Sequence, residues 1–352
     1  MAMKAKELAQ LLSVSPATIS LVLNNKPGIS DSLRQSLTEK IKELGCADML
    51  TKEASTSLQA DDQTGRVRTG IAYLIYSDGE ENSERFAFYP AVLEGAETQA
   101  RESGHNLMVY HVSPQGAPQL KTMLEDAGVI GAIIQATHIT PEIQADLHRI
   151  TLPCVFIDAY RPELNRSSVC VNNEQGIYSA VRYLKEAGHR NLGYILSGRE
   201  SDSDVERRRC FHQALREYGL ADRREFYYSA DGRGDQTAET MKRIWQGADK
   251  IPTAIVCEND IIAFYAVRAL NQCGYQVPQD VSLIGFDDRS ICTMSDPKLT
   301  TLRSFRNLLG REAVKLLKNK LELKKLGISE LPIKIELPTE LVIRDSVRNI
   351  LQ

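Results

Sequence analysis

Beyond residue 68 the chain repeats one pattern: a short apolar run, then an amphipathic stretch with apolar residues at helical spacing. Brief runs rich in Val, Ile and Leu suit strands buried on both faces, and stretches with apolar residues three or four apart suit the helices that cover them. The pattern predicts strands at 70–76, 106–112, 131–135, 153–158, 168–172, 192–197, 226–229, 253–257, 281–286 and 341–344. Helices fall between them, among others at 90–103, 174–187, 205–218, 236–246, 259–273 and 308–325. Such alternation builds parallel, doubly wound α/β sheets. Roughly 280 residues of it exceed the usual single domain, so two lobes are expected.

Sheets of this kind bind ligands beyond the carboxyl ends of their strands. Asp158 ends VFID, Asn172 ends VCVN, and Asn259 and Asp260 follow AIVCE. Asp287 and Asp288 follow LIGF, and Ser77 closes the first strand. Singly, each also reads as a helix cap or loop residue. Together, at strand ends in both lobes, they form a polar set able to hold hydroxyl groups. Phe86, Phe88, Tyr89, Tyr160 and Phe211 offer stacking faces beside them, or core packing.

Several function classes recede on composition. The net charge is −3, so any affinity for nucleic acid must come from a local patch. No apolar run approaches the ~18 residues of a membrane span, and MAMKAKELAQLLSVS has no signal-peptide core, so a cytoplasmic protein is expected. The seven cysteines include no C-x-x-C pair and read as reduced thiols. The six histidines sit at no metal-binding spacing, and neither a metal nor a cofactor is expected. The chain lacks G-x-S-x-G, a phosphate-binding G-x-x-x-x-G-K-[ST], and G-x-G-x-x-G after the first strand, so an enzyme is not expected. Asp287 and Asp288 as an acid/base pair is the enzymatic alternative; ligand hydrogen bonding with helix capping is the simpler one.

The first 46 residues differ from the rest. Three short helices are expected: one over 4–12 with Leu8, Leu11 and Leu12 on one face, one over 15–24 burying Ile19, Val22 and Leu23, and one from Ser30 carrying Leu33, Leu37, Ile41 and Leu44. Ser15 followed by Pro16 is a helix start, because proline lacks the N–H that has no partner there. The first two helices meet at a very short turn near Ser13, which makes a helix-turn-helix. The outer face of the second helix is small: Pro16, Ala17, Thr18, Ser20 and Leu21. Such a face enters a DNA major groove, with Ala17 and Leu21 against thymine methyls and Thr18 and Ser20 bonding phosphates or base edges. A three-helix bundle with no DNA role has the same pattern. Six Lys/Arg against four Asp/Glu leave this head at only +2. Residues 47–67 are polar and read as a linker, which leaves 68–352 as the core.

The stretch KAKELAQLLSVSPATISLVLNNKPGISDSLRQSLTEKIKELG resembles the head of the lactose-repressor/galactose-repressor (LacI–GalR) family, most specifically in VSPATISLVLN at 14–24. The resemblance continues through LPCVFIDAYRPELNRSSVCVNNEQGIYSAVRYLKEAGHRNLGYI, VERRRCFHQALREYGL, PTAIVCENDIIAFYAVRALNQCGYQVPQDVSLIGFDD and LTTLRSFRNLLGREAVKLL. It implies an all-α head on a two-lobed core like periplasmic sugar-binding proteins, closing on a small effector. DNA readout would involve Ser15, Pro16, Ala17, Thr18, Ser20, Leu21 and Asn24. Many members carry arginine where Leu21 stands, which implies a different base preference or weaker affinity. The family's Tyr-x-Pro-Asn segment before its hinge helix is replaced at Cys46, Asp48 and Met49. Leu58 is then the candidate minor-groove wedge, or the segment is a plain tether. For the effector, a sugar by family default, the resemblance implies Arg207, Asn259 and Asp287, then Asp158; Ser77 at its strand end and Phe88 and Tyr89 as stacking faces complete the candidate set. The implied assembly is a homodimer on a palindromic operator in double-stranded DNA. The alternative is a cytosolic solute sensor with a vestigial head.

Overall fold

The computed structural model describes residues 8, 9, 11, 12, 14, 15, 18, 19 and 22, then 31–43, 69–76, 88–113, 117–137, 139–198, 201–230, 235–248, 250–328 and 331–351. Two units separate at Met1–Arg68 and Thr69–Gln352.

In the first unit Leu8, Ala9, Ile19, Val22, Leu37 and Ile41 form one buried cluster, with Leu12 and Val14 packed on it. Helix α1 (Asp31–Glu43) contributes Leu37 and Ile41, one turn apart. Two expected core residues differ: Leu11 and Leu33 are exposed. Ala9, Leu8 and Leu12 span a buried arc centred about 110° from Leu11 at 100° per residue, so Leu11 faces outward. Leu33 sits in the first turn of α1, before the buried Leu37–Ile41 stretch. Leu23 and Leu44 lie outside the described residues.

The second unit holds two six-stranded sheets. The first contains β1 (Thr69–Tyr76), β2 (His105–Val112), β3 (Val129–Ala136), β4 (Cys154–Ile157), β5 (Ser167–Val171) and β11 (Lys334–Leu337). Its order is β11-β5-β4-β3-β1-β2 and every pairing is parallel. The second contains β6 (Leu192–Ser197), β7 (Tyr227–Ala230), β8 (Ala254–Cys257), β9 (Ser282–Asp287), β10 (Thr300–Ser304) and β12 (Thr339–Val342). Its order is β12-β10-β9-β8-β6-β7, parallel except where β12 runs antiparallel to β10. The helices between are α2 (Tyr89–Glu102), α3 (Ala117–Asp126), α4 (Pro141–Arg149), α5 (Asn173–Glu186), α6 (Asp202–Glu217), α7 (Asp235–Gln246), α8 (Asp260–Gln272), α9 (Ile291–Met294) and α10 (Arg306–Lys325). This is the two-lobed, doubly wound α/β core that the alternation predicts.

The chain passes between the lobes three times: from β5 into α5, from β10 into α10, and from β11 into β12. The first and third crossings are bonded side by side. Asn172 N donates to Leu337 O at 2.8 Å, and the Gln175 side chain accepts from Thr339 N at 2.8 Å and donates to Thr339 O at 3.1 Å. One apolar cluster runs from Ile71, Ile133 and Val169 in the first sheet to Tyr194, Ile284 and Leu302 in the second. Separate clusters fill the far face of each lobe.

The expected strand 192–197 is β6 without change, whereas 341–344 is shifted to Thr339–Val342. Strands β10 and β11 carry no long apolar run: TTLRS and KIEL reach their sheets through crossings, and no local periodicity marks them.

Helices α2 and α10 pack closely because each presents a glycine. A Cβ on Gly310 would run into the Val92 carbonyl, and one on Gly95 into the Asn307 carbonyl. In an open helix Gly→Ala stabilises by ~0.5–1 kcal/mol. Here the backbone contact reverses the sign, and Gly310→Ala is expected to cost ~1–3 kcal/mol. Urea unfolding monitors this; a variant as stable as the parent would show that the two helices part freely.

Candidate functional site

Helix α6 builds one wall. Its start is a capping box: Ser201 Oγ accepts from Asp204 N at 3.2 Å, and Asp204 Oδ2 accepts from Ser201 N at 2.9 Å. That cap sets the phase of the helix, so Ser203, Asp204 and Arg207 share a face directed at the gap between lobes. Helix α8 starts in the same way, with Asn259 Oδ1 accepting from Ile262 N at 3.0 Å. Two helix N-termini, electropositive ends, therefore border the gap.

Arg207 is the central group. It is 4% exposed. Its Nε donates to Asn173 Oδ1 and its Nη1 to the Glu258 carbonyl, both at 2.8 Å. Nη2 lies 3.7 Å from Asp287 Oδ1, and the guanidinium rests 3.6 Å from the centre of the Phe286 ring. Although Arg207 stands in the run RRR, its burial rules out a surface ion pair. Asp158, Asn259, Asp287 and Arg289 complete the polar floor. Phe88, Tyr89 and Thr137 face it from the first lobe, the two rings edge-to-face at 5.1 Å and Tyr89 Oη 3.0 Å from Thr137 Oγ1.

The backbone is bent where the carboxylates are presented. Asp158 (φ 54°), Asp287 (φ 105°) and Asp288 (φ 53°) hold left-handed conformations that few non-glycine residues adopt. Strand ends forced into such turns aim their side chains into the gap.

The site is crowded with acid. Burial pushes the Asp158 carboxyl up to about 7, with Arg207 and Ser203 pulling the other way. Burial also raises Asp287, against Arg207 and Arg289. Behind them, burial and then Asp287 push Asp260 up to about 7. Burial and then Asp204 push Glu258 up to about 8. Glu258 Oε2 accepts from Ser197 N, while Oε1 has no hydrogen-bond partner among the described residues. Asp288 is different: burial raises it, but hydrogen bonds from Arg344 (2.6 Å) and Arg303 (2.8 Å) outweigh burial and lower it. It is a structural partner of those arginines and forms no acid/base pair with Asp287.

Of the residues singled out by sequence, Phe88, Tyr89, Asp158, Arg207, Asn259 and Asp287 meet in this pocket. Ser77 and Phe86 lie outside the described residues, as do Pro16, Ala17, Ser20, Leu21, Asn24 and Leu58. In the head, Ser15 Oγ accepts from Thr18 N at 3.0 Å, the cap geometry that Ser-Pro implies. Asn172 caps α5 and does not line the pocket. Phe211 is core, 4.9 Å from Tyr194, and Tyr160 lines a neighbouring cavity. Thr137, Ser201, Ser203, Asp204 and Arg289 join the site unpredicted. SDSD ahead of an amphipathic run is a capping-box signal for the middle three; the others come from loops that only the fold brings together. Among the described residues no group of His, Cys, Asp or Glu could hold a metal ion, and no helix is long and apolar enough to cross a membrane. The six described cysteines are free thiols.

The periplasmic-binding-protein-like domain matches residues 181–347. The HTH-type transcriptional repressor PurR of Aliivibrio salmonicida is 27% identical over 315 residues, covering 89% of this chain and 90% of its own. That of Haemophilus influenzae is 25% identical over 349 residues, 98% of this chain and 99% of its own, so head and core align together. Through head and core alike, this chain resembles the LacI–GalR family. Among solved structures, the lac repressor dimer bound to operator and an anti-inducer superposes with a TM-score of 0.68 at 21% identity, over 99% of this chain and 100% of that one. That likeness concerns the fold.

A carboxyl raised by folding stabilises the native state at low pH, and the contribution fades as pH climbs through the folded value. Glu258 at about 8, with Asp158 and Asp260 at about 7, therefore makes this core lose stability from pH 5 to pH 9. Glu258→Gln removes one such group and keeps an acceptor for Ser197 N. Its thermal midpoint is expected to match the parent at pH 5 and exceed it by about 2–4 °C at pH 9. Identical pH slopes in scanning calorimetry would refute the assignment.

Proposed function

We infer that the chain is a sequence-specific DNA-binding transcription regulator, acting as a repressor, whose hold on its operator is set by a small effector bound between the core lobes. The observation that carries this is the buried Arg207 beside Asp158, Asp204 and Asp287 in an inter-lobe pocket. It occurs in a chain whose relatives, aligned through the head, are named transcriptional repressors. We place the head at 1–46, the linker at 47–67 and the core at 68–352, with Ser15 to Asn24 as the reading segment. Such a regulator works in the cytoplasm and is not an enzyme.

The pocket holds about 60 Å³, room for a few waters, well below the ~300–1,000 Å³ of small-molecule sites. An effector enters by separating the lobes, which swing about the three crossings. Contacts that bridge the lobes at this edge include Ser203 Oγ to Asp158 Oδ1 at 3.0 Å, Arg161 Nη2 to Asp202 Oδ1 at 2.7 Å and Lys334 Nζ to Glu206 Oε1 at 4.0 Å. A ligand that favours one lobe arrangement shifts its population by that preference. In a homodimer the change reaches two heads on the two halves of a palindromic operator. A sugar suits the pocket, since hydroxyl donors satisfy the carboxyls and the Phe88–Tyr89 pair offers a ring face. Cellobiose occupies one regulator of this fold, CelR, which matches 98% of this chain and 99% of its own at 24% identity with a TM-score of 0.69.

Selection of random duplex DNA by the purified protein, followed by mobility shift, tests this. An inverted repeat is expected, and Leu21→Ala should weaken binding to it about tenfold, the effect of losing ~1.4 kcal/mol of base contact. If no duplex is enriched, with or without sugars and purines, the regulator reading fails and a solute sensor with a vestigial head replaces it.

A further inference from the structure

The far face of the first lobe holds a cavity of about 360 Å³, within the ~300–1,000 Å³ that small-molecule sites span. It lies between the second half of α3 and the last turn of α4, and the loop from α4 to β4 lines its third side. Its apolar lining is Leu120, Leu124, Ile150 and Leu152. The first three are buried members of the cluster that fills this face of the sheet, and Leu152 packs on it. None of these residues lines the inter-lobe pocket.

The charges around this cavity are unequally placed. Two cations and two carboxylates line it, each paired along its own helix: Lys121 with Glu125 at 3.9 Å, and Arg149 with Asp146 at 3.1 Å. The side chains of Lys121, Glu125 and Arg149 are 63%, 60% and 65% exposed, so water screens them. That of Asp146 is 10% exposed and is the one charge withdrawn from water. A carboxylate has room for about four hydrogen bonds, and among the described residues Asp146 receives one, from Arg149 Nη1 to Oδ1. Tyr76, in the same cluster as Leu120 and Leu124, has a buried hydroxyl with no partner among the described residues. Burial, and then the Asp146 charge, raises its pKa, so the two groups lie within electrostatic reach. The backbone adds to the same sign. Both helices bring their carboxyl-terminal halves to the cavity, and such ends carry partial negative charge. Arg166 Nη2, from outside the cavity, already donates to Ile150 O at 2.9 Å at the end of α4. An anionic ligand would meet Asp146 and two electronegative helix ends. An ammonium group finds an acceptor there, with aliphatic walls for whatever it is attached to.

We propose that this cavity is a second small-molecule site and that it takes a primary amine with an apolar body the size of a hexyl or phenylethyl group. The ammonium donates to Asp146 at the end of α4. The body lies on Leu120 and Leu124 of α3 and on Ile150 and Leu152 beyond α4. The site stands apart from the inter-lobe pocket and does not rest on the effector reading.

Calorimetric titration of the full-length protein with two matched series tests it: hexylamine, hexanol and hexanoate, and 2-phenylethylamine, 2-phenylethanol and 3-phenylpropionate. Within at least one series the amine is expected to bind about tenfold more tightly than the alcohol, and the carboxylate more weakly than both. Asp146→Asn keeps the shape of the side chain and removes its charge. It should bring the amine down to the affinity of the alcohol and leave the alcohol as it was, which also shows that the variant is folded. Thr151→Trp places an indole on the rim from an exposed loop position and should weaken amine and alcohol alike. Asp287→Asn, in the inter-lobe pocket, should leave amine binding unchanged. Loss of amine binding in Asp287→Asn with Asp146→Asn silent puts the amine between the lobes and overturns the proposal. Equal binding of amine and alcohol, or preference for the carboxylate, overturns the ammonium assignment. No binding by either series, or binding that Thr151→Trp leaves intact, overturns the site itself.

Discussion

The core is organised around a cation that should not be comfortable where it is. A guanidinium removed from water costs several kcal/mol unless its donors are met and its charge is balanced. Arg207 meets those terms only through the tertiary structure. Asn173 from α5 and the Glu258 carbonyl at the end of β8 take its hydrogens, Asp287 at the end of β9 balances its charge, and the Phe286 ring covers its face. Four separate segments must be in register for this, so the arginine and the second sheet define each other. Pairing of this kind is a weak source of stability, and its value lies in holding a planar, fully charged donor rigidly at the inter-lobe gap.

Excess carboxyl around that arginine gives the site its character. Asp158, Asp204 and Asp287 line the pocket, with Glu258 and Asp260 behind it, and burial raises Asp158, Asp287, Glu258 and Asp260. Burial makes each of these four groups costly to ionise unless donors or cations surround it. A ligand that supplies them relieves the pocket only when the lobes are placed to share it, which is how binding energy becomes a preference for one lobe arrangement. The three crossings make that preference collective: the first and third are bonded through Asn172, Gln175 and Thr339, and the second runs into α10, which packs on α2. Rotation at the first crossing is therefore tied to rotation at the third.

Much of this was legible in the residues. Strands buried on both faces announced themselves as apolar runs, and β6 matches its expected limits. The principle that ligands gather at strand ends picked out Asp158, Asn259 and Asp287 before any coordinates. It also picked out Asn172 and Asp288, which turn out to be a helix cap and a partner of Arg303 and Arg344. Local sequence cannot separate these cases, because a cap and a ligand contact call for the same short polar side chain in the same place. Phe211 takes the core alternative for a related reason: an aromatic a few residues from Arg207 looks the same in sequence whether its ring faces the gap or the core.

Sequence alone therefore determined the class of the core: two doubly wound α/β lobes, with polar residues gathered at strand ends. These follow from periodicity, capping and turn chemistry, which act over a few residues. The tertiary structure alone decided which polar residues converge, that Arg207 is buried against Phe286, and that α3 and α4 border a cavity. It also placed β10 and β11, whose polar sequences become strands only because a sheet edge is there to receive their backbone hydrogen bonds. Convergence across the lobes depends on contacts between residues more than a hundred positions apart, such as Gln175 with Thr339, and no local pattern encodes such a distance.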